Sequence, residues 1–428
     1  MFCQLEILRH CLPPSVRQIL DELPESLDKT YERILREIRK PNQRHAHRLL
    51  QCLVAAARPL QVKELGEILA VDFNVEGVPK LNLGWRGADQ EEAVMSACSS
   101  LVIIVKDKGS RIVQFSHFSV KEYLTENRLA EPIRDVSRYH IRLEAAHTTL
   151  AQACLGVLLH LDDRVDRDDI GNFPLAQYAA QYWAKHARFA NASSPIKIGM
   201  ECLFDADRPH FATWLWIYDE DWDGRSMNTS RPGKPEAVPL YYAAKLGFRD
   251  LVEHLIAKHP EHVHASGGVE VTSMHVAAIA GHADILSLLL EHGAYVNGLG
   301  INGQTPLHRA SANAKVEAGK CLLDHGADIN ARDDDGSTPL LLAAFEEVEF
   351  ARLLLKSGAR INVRDNICGW TPLHWAVKAT NIQVVRLLLE HGADVNALDP
   401  TGRTPSQITR QQEIVELLSE YSAQSVGL

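Results

Sequence analysis

The sequence predicts a mainly α fold in two parts: a helical module carrying a small β-wing, then a solenoid of stacked repeats. Three observations predict it. A Thr-Pro-Leu start recurs every 33 residues in the C-terminal half, at Thr305, Thr338 and Thr371. Apolar residues fall at helical spacing through the first 130 positions. Two β-branched runs, Leu101–Lys106 and Arg111–Ser116, flank a turn at Asp107–Ser110.

Residues 15–40, "SVRQILDELPESLDKTYERILREIRK", read as helix broken at Pro24. Residues 45–57 and 61–70 read as two helices separated by Arg58-Pro59-Leu60, and a third short helix covers about 90–99. The two strand runs follow, and "HFSVKEYL" at 117–124 resumes as helix. Helices followed by a two-stranded wing make a winged-helix-like domain. The division is a helical segment at 1–44, the winged-helix-like domain at 45–130, a helical connector at 131–236 and the repeat array at 237–428.

The repeats carry the clearest pattern. Besides the three full starts, Thr404-Pro405-Ser406 continues the register and Thr272-Ser273-Met274-His275 is a degenerate copy. Gly293-Ala294, Gly326-Ala327, Gly358-Ala359 and Gly392-Ala393 close successive repeats about 21 residues after each start. Thr suits an N-cap, because its hydroxyl accepts an orphan N–H, and Pro suits the first helical position. Ala277, Ala278, Ala343 and Ala344 let first helices pack closely. Leu288-Leu289-Leu290 and Leu387-Leu388-Leu389 give second helices their apolar face, and Gly permits a left-handed stop. These residues resemble ankyrin repeats, about six including degenerate caps. Pro239-Leu240-Tyr241-Tyr242 opens an atypical first repeat without the Gly-Ala stop, and residues 404–421 form a shortened last one. Such repeats bury a core only by stacking.

The resemblance implies a concave face made by the loop tips before each Thr and by the ends of the first helices. The positions that fall there are Ile301, Asn302 and Gln304, then Asp334 and Asp335, then Ile367 and Trp370, with Asn313, Phe345, Glu346 and Lys378 from helix ends. Trp370 and Phe345 are the expected anchors, because aromatic side chains dominate binding energy at interfaces. Trp375, at a usually apolar first-helix position, is expected in the core. Of the 20 histidines, His275, His308 and His374 sit in repeat starts, while His292, His325 and His391 precede the glycine. Repetition at fixed positions makes helix packing and loop hydrogen bonds their expected role.

"LPESLDKTYERIL", "RPLQVKELGEIL", "FSHFSVKEYL", "PLAQYAAQYWAKHA" at 174–187 and "PLYYAAKLGFRDLV" at 239–252 resemble the segment following the nucleotide-binding domain of fungal NACHT–ankyrin proteins. The resemblance implies kinship with signal-transducing ATPases of the innate-immune receptor type. No G-x-x-x-x-G-K-[ST] occurs in this sequence, so the NTPase activity is not carried over. Met1 falls inside what would be a post-NACHT helix, which leaves two expectations: a truncated gene model, or a chain that has lost its motor.

Composition narrows the rest. Residues 1–130 balance 18 Lys+Arg against 17 Asp+Glu, whereas 131–428 hold 27 against 38. An acidic C-terminal part disfavours nucleic acid and anionic membranes as partners there. The third helix of the winged module, "QEEAVMSACSS", has two glutamates and no Lys or Arg, so it is poorly equipped to read DNA. Arg33, Arg36, Arg39, Lys40, Arg44 and Arg48, interrupted by Glu37, read as a solvated helix face rather than a nuclear import signal. Eight scattered cysteines with no C-x-x-C fit reduced thiols in an intracellular setting, cytoplasm or nucleus. Gly224-Arg225-Ser226-Met227-Asn228 misses the final glycine of a nucleophile elbow. "DEDWDG" at 219–224 resembles the start of a calcium loop, but Ser230 stands where the bidentate carboxylate belongs and Ser226 where an apolar residue belongs, so it reads as a solvated link.

The expectations are therefore a non-enzymatic adaptor or scaffold, with no cofactor and no metal, that captures a protein on its concave face. A nuclear coregulator acting through a bound transcription factor is the second reading, and a fragment of a NACHT-type ATPase is the third.

Overall fold

The computed structural model describes residues 27–426 apart from 76, 88, 108, 131–135, 163, 166, 190–193, 219–236, 268–270 and 346–347. The stretch before Leu27, the acidic "DEDWDG" segment and Glu346 thus lie outside the described residues. The chain divides into two compact units, Met1–Lys234 and Pro235–Leu428.

In the first unit, α1 (Leu27–Glu37) buries Tyr31, Ile34 and Leu35 on one face. The Tyr31 hydroxyl lies 2.8 Å from Ser119 Oγ, which ties α1 to α5 (Phe118–Thr125). Helices α2 (Gln43–Ala55), α3 (Val62–Leu69) and α4 (Gln90–Cys98) precede the wing formed by β4 (Val102–Asp107) and β5 (Ser110–Phe115). The two wing strands pair antiparallel from Val102↔Phe115 to Asp107↔Ser110. A third strand, β1 (Leu60–Gln61), adds to β5 with Leu60 opposite Val113, where the sequence suggested only a break between helices. Two residues are too few to show an alternating pattern, yet Leu60 is wholly buried. A short hairpin, β2 (Val71–Asp72) and β3 (Lys80–Leu81), completes the strands of this unit.

The helices that sequence reads as a connector pack directly on this module. Helix α6 (Leu143–Leu158) lies against both α2 and α7 (Ala176–Phe189), and α8 (Ser194–Leu203) and α9 (His210–Tyr218) close over α6 and α7. Trp183 and Trp214 meet edge to face with centroids 5.9 Å apart, and Trp214 Nε1 donates to the Ala180 carbonyl at 3.1 Å. A buried polar chain fastens the layers. Arg58 clasps Glu64 with two hydrogen bonds of 2.9 and 2.6 Å, Ala57 N donates to the Tyr178 hydroxyl at 3.0 Å, and that hydroxyl lies 2.9 Å from His186 Nε2. Glu67, with no exposed surface, pairs with Arg86 and accepts the Leu175 N–H at 2.6 Å. An unpaired carboxylate there would be costly, so these partners fix how the helical layer meets the winged module.

His186 gives this unit a pH signature. Burial, then the neighbouring His147 and Lys185, push its pKa down to about 3. The unfolded imidazole takes its proton near the ordinary value of 6.5, so between about 6.5 and 3 the unfolded chain binds more protons than the folded one. Stability of this unit is expected to fall as pH drops through that window, by up to about 1.4 kcal/mol per pH unit. Urea unfolding at pH 7 and pH 5 should show the loss, and His186→Gln should flatten it. An equal slope in the variant would place the acid sensitivity elsewhere.

The second unit is a run of helix pairs: α10 (Pro239–Leu246) with α11 (Arg249–Lys258), α12 (Ser273–Ala280) with α13 (Ala283–Glu291), α14 (Pro306–Ala312) with α15 (Val316–Asp324), α16 (Pro339–Ala343) with α17 (Val348–Lys356), and α18 (Pro372–Lys378) with α19 (Ile382–Glu390). A 3-10 turn at Pro405–Ile408 and α20 (Gln412–Val426) end it. Each first helix packs on the next first helix, and each second helix on the next second helix. Only the first repeat carries a strand pair, β6 (Ser266–Gly267) with β7 (Val271–Thr272), among the described residues of this unit.

The repeat-start histidines build the stack. In His308, Nδ1 accepts from the Thr305 N–H at 3.2 Å and lies 2.9 Å from Thr305 Oγ1, while Nε2 reaches the Ser337 carbonyl of the next repeat at 3.0 Å. His275 does the same with Thr272 and the Gln304 carbonyl. That geometry needs the proton on Nε2, and burial lowers the pKa of both rings, so they stay neutral near pH 7. His325 and His391 instead reach the carbonyls four residues back, Cys321 and Leu387, at 2.8 and 2.9 Å. Asn297, Asn330 and Asn362 add a second ladder, their Oδ1 atoms accepting the N–H of Asp328, Arg360 and Asp394 at 2.8, 2.8 and 3.0 Å.

Candidate protein-interaction face

The hairpins before Thr338, Thr371 and Thr404 are each shaped by a buried aspartate. Asp333, Asp365 and Asp399 are each no more than 7% exposed. Asp333 Oδ1 accepts the Ser337 N–H at 2.7 Å, and Asp399 Oδ1 accepts those of Thr401 and Arg403 at 2.8 and 2.9 Å. The Thr401 hydroxyl and the Arg403 side chain hold the Asp399 carboxyl well below the usual carboxylate range. Adjacent hairpins are stitched by backbone, with Asp334 N donating to the Asn302 carbonyl at 3.0 Å and Asn366 N to that of Asp335 at 2.8 Å.

The hairpin at 365–370 departs from the others. Gly358 follows Thr338 by one residue fewer than Gly326 follows Thr305, and the hairpin regains that residue before Thr371. The longer loop wraps its aspartate. Asp365 Oδ1 accepts the N–H groups of Ile367, Cys368 and Gly369 at 2.9, 2.6 and 3.1 Å, and Oδ2 accepts that of Trp370 at 3.2 Å. The extra residue pushes Ile367 outward, leaving it 69% exposed.

Trp375 corrects the expectation that it lies in the core. It is partly exposed, and its Nε1 donates to Asp365 Oδ2 at 2.8 Å. An indole N–H needs an acceptor, and the available carboxylate lies at the face, so the ring stands there rather than turning inward. It meets Trp370 edge-on at 4.9 Å and Phe345 edge-on at 5.9 Å between centroids. Trp370 in turn stacks on His374 at 6.2 Å. Phe345, from the end of α16, is 51% exposed. Three aromatic rings from two neighbouring repeats thus form one contiguous cluster, held from below by Asp365.

The other sequence candidates divide. Asn302, Asp334, Asp335, Asn313 and Lys378 are exposed. Asn302 adopts a left-handed backbone with φ 59°, and Asn313 Nδ2 folds back onto the Arg309 carbonyl at 2.9 Å. Gln304 is only partly exposed and donates to Asp333 Oδ2 at 3.1 Å, so it serves the stitching between hairpins rather than standing free. Ile301 is partly exposed within its 3-10 turn. The structure brings Phe345, Trp370 and Ile367 to the same two repeats, while Ile301, Asn302, Asp334 and Asp335 lie on the preceding hairpins. The roles of Asp365 and Trp375 were missed by sequence reasoning. Their signal was an aspartate five or six residues before Thr338, Thr371 and Thr404, at 333, 365 and 399, with a tryptophan ten residues after the middle one.

In the first unit, α4 carries Val94, Ala97 and Cys98 buried, and its Glu91 pairs with Arg111 on the wing. No helix among the described residues is long and apolar enough to cross a membrane.

Two families match separate parts of the chain. Residues 240–333, 296–365 and 340–426 match the ankyrin-repeat family in three copies. Residues 31–133 match the family described as the winged helix domain of GPI inositol-deacylase. The azaphilone pigments biosynthesis cluster protein L of Monascus ruber is 33% identical over 291 residues, which cover 64% of this chain and 60% of that protein. Ankyrin repeat domain-containing protein 40 of Mus musculus is 38% identical over 81 residues, 19% of this chain and 22% of that protein. The palmitoyltransferase ZDHHC17 of Danio rerio is 40% identical over 191 residues, 44% of this chain and 31% of the enzyme. The alignments thus span less than two thirds of the length of each of these relatives.

Proposed function

We propose that this chain is a non-enzymatic regulatory adaptor whose ankyrin array captures a protein partner on the Phe345–Trp375–Trp370 cluster. The observation that carries the reading is one aromatic cluster across adjacent repeats, with Phe345 51% exposed and Trp370 and Trp375 partly exposed. Rings that pack only to support their own repeat would be buried, as Phe350 is at 0% exposure. Here Asp365 holds Trp375 in place before any partner arrives, which lowers the ordering cost of binding. The partner supplies an apolar or aromatic side chain that fits between Phe345 and Trp370, and Ile367 extends the contact outward. Asn302, Asp334, Asp335, Asn313 and Lys378 form a polar surround.

The winged module serves protein packing in this reading. The helix that would enter a DNA groove presents Glu91 and Glu92, one of them already paired with Arg111. Both carboxylates would face phosphate, and a repulsive contact of that kind disfavours nucleic acid. Kinship with NACHT–ankyrin proteins belongs to the same proposal, with the described helices and repeats acting as the sensing and packing portion.

A photo-crosslinking residue placed at position 345 tests the face in lysate of the source cells. Adducts are expected from position 345 and not from Arg386, an exposed site on α19 in the second-helix row. Equal yields from both positions, or adducts from 386 alone, would move the interaction to a different surface.

A further inference from the structure

The turn between α11 and β6 holds a group of side chains that neither the ankyrin pattern nor the proposed face uses. Among the described residues, His259, Glu261 and His262 place one donor atom each within 4.8 Å of one another. His259 Nδ1 lies 3.3 Å from Glu261 Oε1, and His262 Nε2 lies 3.9 Å from the same oxygen. The two imidazoles lie nearly parallel, their centroids 4.9 Å apart at 23°. The opposite ring nitrogens, Nε2 of His259 and Nδ1 of His262, are shielded from solvent. The nitrogens that face the carboxylate are Nδ1 of His259 and Nε2 of His262.

We propose that these three residues bind a divalent transition-metal ion of the zinc class. Two imidazoles and one carboxylate are the donor set that zinc accepts, at about 2.0–2.2 Å from the metal, which puts tetrahedral ligands roughly 3.3 Å apart. The His259–Glu261 separation already meets that value. The His262–Glu261 separation of 3.9 Å exceeds it, and Glu261, 66% exposed, is the ligand that would turn toward His262 on binding. Three protein ligands leave the fourth position to water or to a donor from outside.

The position explains a use for the ion. The first repeat lacks the Gly-Ala stop of the others, and α11 ends at His259 with φ −135° and ψ 70° rather than on a left-handed glycine. An end repeat stacks on another repeat on only one side, so its own internal contacts matter most. A metal across this turn would pin the end of α11 to the loop leading into β6 and staple the terminal repeat.

Titration of the chelator-stripped full chain with zinc ions alone, followed by calorimetry at pH 7, tests the site. One saturable equivalent is expected, weakened at least tenfold in His259→Ala and in His262→Ala and less severely in Glu261→Gln. His264→Ala, a neighbouring histidine whose ring lies tilted against Tyr295 at 4.7 Å between centroids, should bind as the parent does. Cobalt substitution should give the visible absorption of a tetrahedral site in the parent and lose it in His259→Ala. Circular dichroism and Glu261→Gln, which keeps the turn's shape, separate loss of ligand from loss of fold. Absence of a one-equivalent event, or zinc affinity unchanged in both histidine variants, would overturn the proposal.

Discussion

Asp365→Ala is expected to lower the stability of the ankyrin array by about 3 kcal/mol, although it removes only a short polar side chain. The carboxylate is 5% exposed and accepts five N–H groups, four from the hairpin backbone and one from the Trp375 indole. Hydrogen bonds to a charged acceptor contribute roughly 1.5–3 kcal/mol singly and less than additively in a cluster. Alanine leaves these five donors unpaired, with the loop then closed by the Asp365 N–H to the Trp370 carbonyl at 3.0 Å. For a unit of this size the melting temperature should drop by roughly 6–12 °C. Tryptophan fluorescence should shift to the red as the Trp375 ring loses its anchor. Asp365→Asn keeps one acceptor oxygen and should retain about half of the lost stability. A melting temperature within a degree of the parent would show that the loop holds its shape without the carboxylate.

The same residue shows what sequence conveys and what it withholds. The array was legible because repetition multiplies a weak signal: one Thr-Pro is a common dipeptide, but Thr305, Thr338, Thr371 and Thr404 in one register specify a stack. The wing was legible because Leu101–Lys106 is β-branched and long enough to pair. The third strand was not, since Leu60 and Gln61 are neighbours of a proline and carry no periodicity. The helical layer at 143–218 read as a connector because its apolar faces say that they are buried, without saying against what. Only the partners of Glu67 and Tyr178 show that they close on the winged module.

At the site the limit is direction. Sequence places Trp370 and Trp375 near one hairpin, and helical position then argues that Trp375 points inward. The carboxylate that draws its indole N–H to the face is ten residues away, and nothing local reveals that contact. Phe345 and Trp370 were legible as large side chains at expected tips. The ring that joins them was not. The His259–Glu261–His262 turn was invisible for a related reason: it matches no metal motif on a regular element, and only the folded turn brings its donors together.

Replacing Phe345 and Trp370 together by Ala is expected to carry the largest functional effect. Phe345 is 51% exposed, so its truncation costs the fold little, in contrast to the 3–5 kcal/mol expected for a buried aromatic. A partner side chain seated between the two rings loses both walls. Anchors of this kind cost 2 kcal/mol or more when truncated, which corresponds to at least about 30-fold in affinity for the pair. The two changes should be less than additive, because each ring touches Trp375 and loosens it for the other.

The most direct measurement compares the dissociation constant of the protein crosslinked through position 345, purified, for the parent chain and for the Phe345→Ala, Trp370→Ala double variant. Helicity by circular dichroism serves as the control for folding. Unchanged helicity is expected, with affinity weakened at least about 30-fold. An equal dissociation constant in a folded double variant would contradict it and remove the aromatic cluster as the binding face.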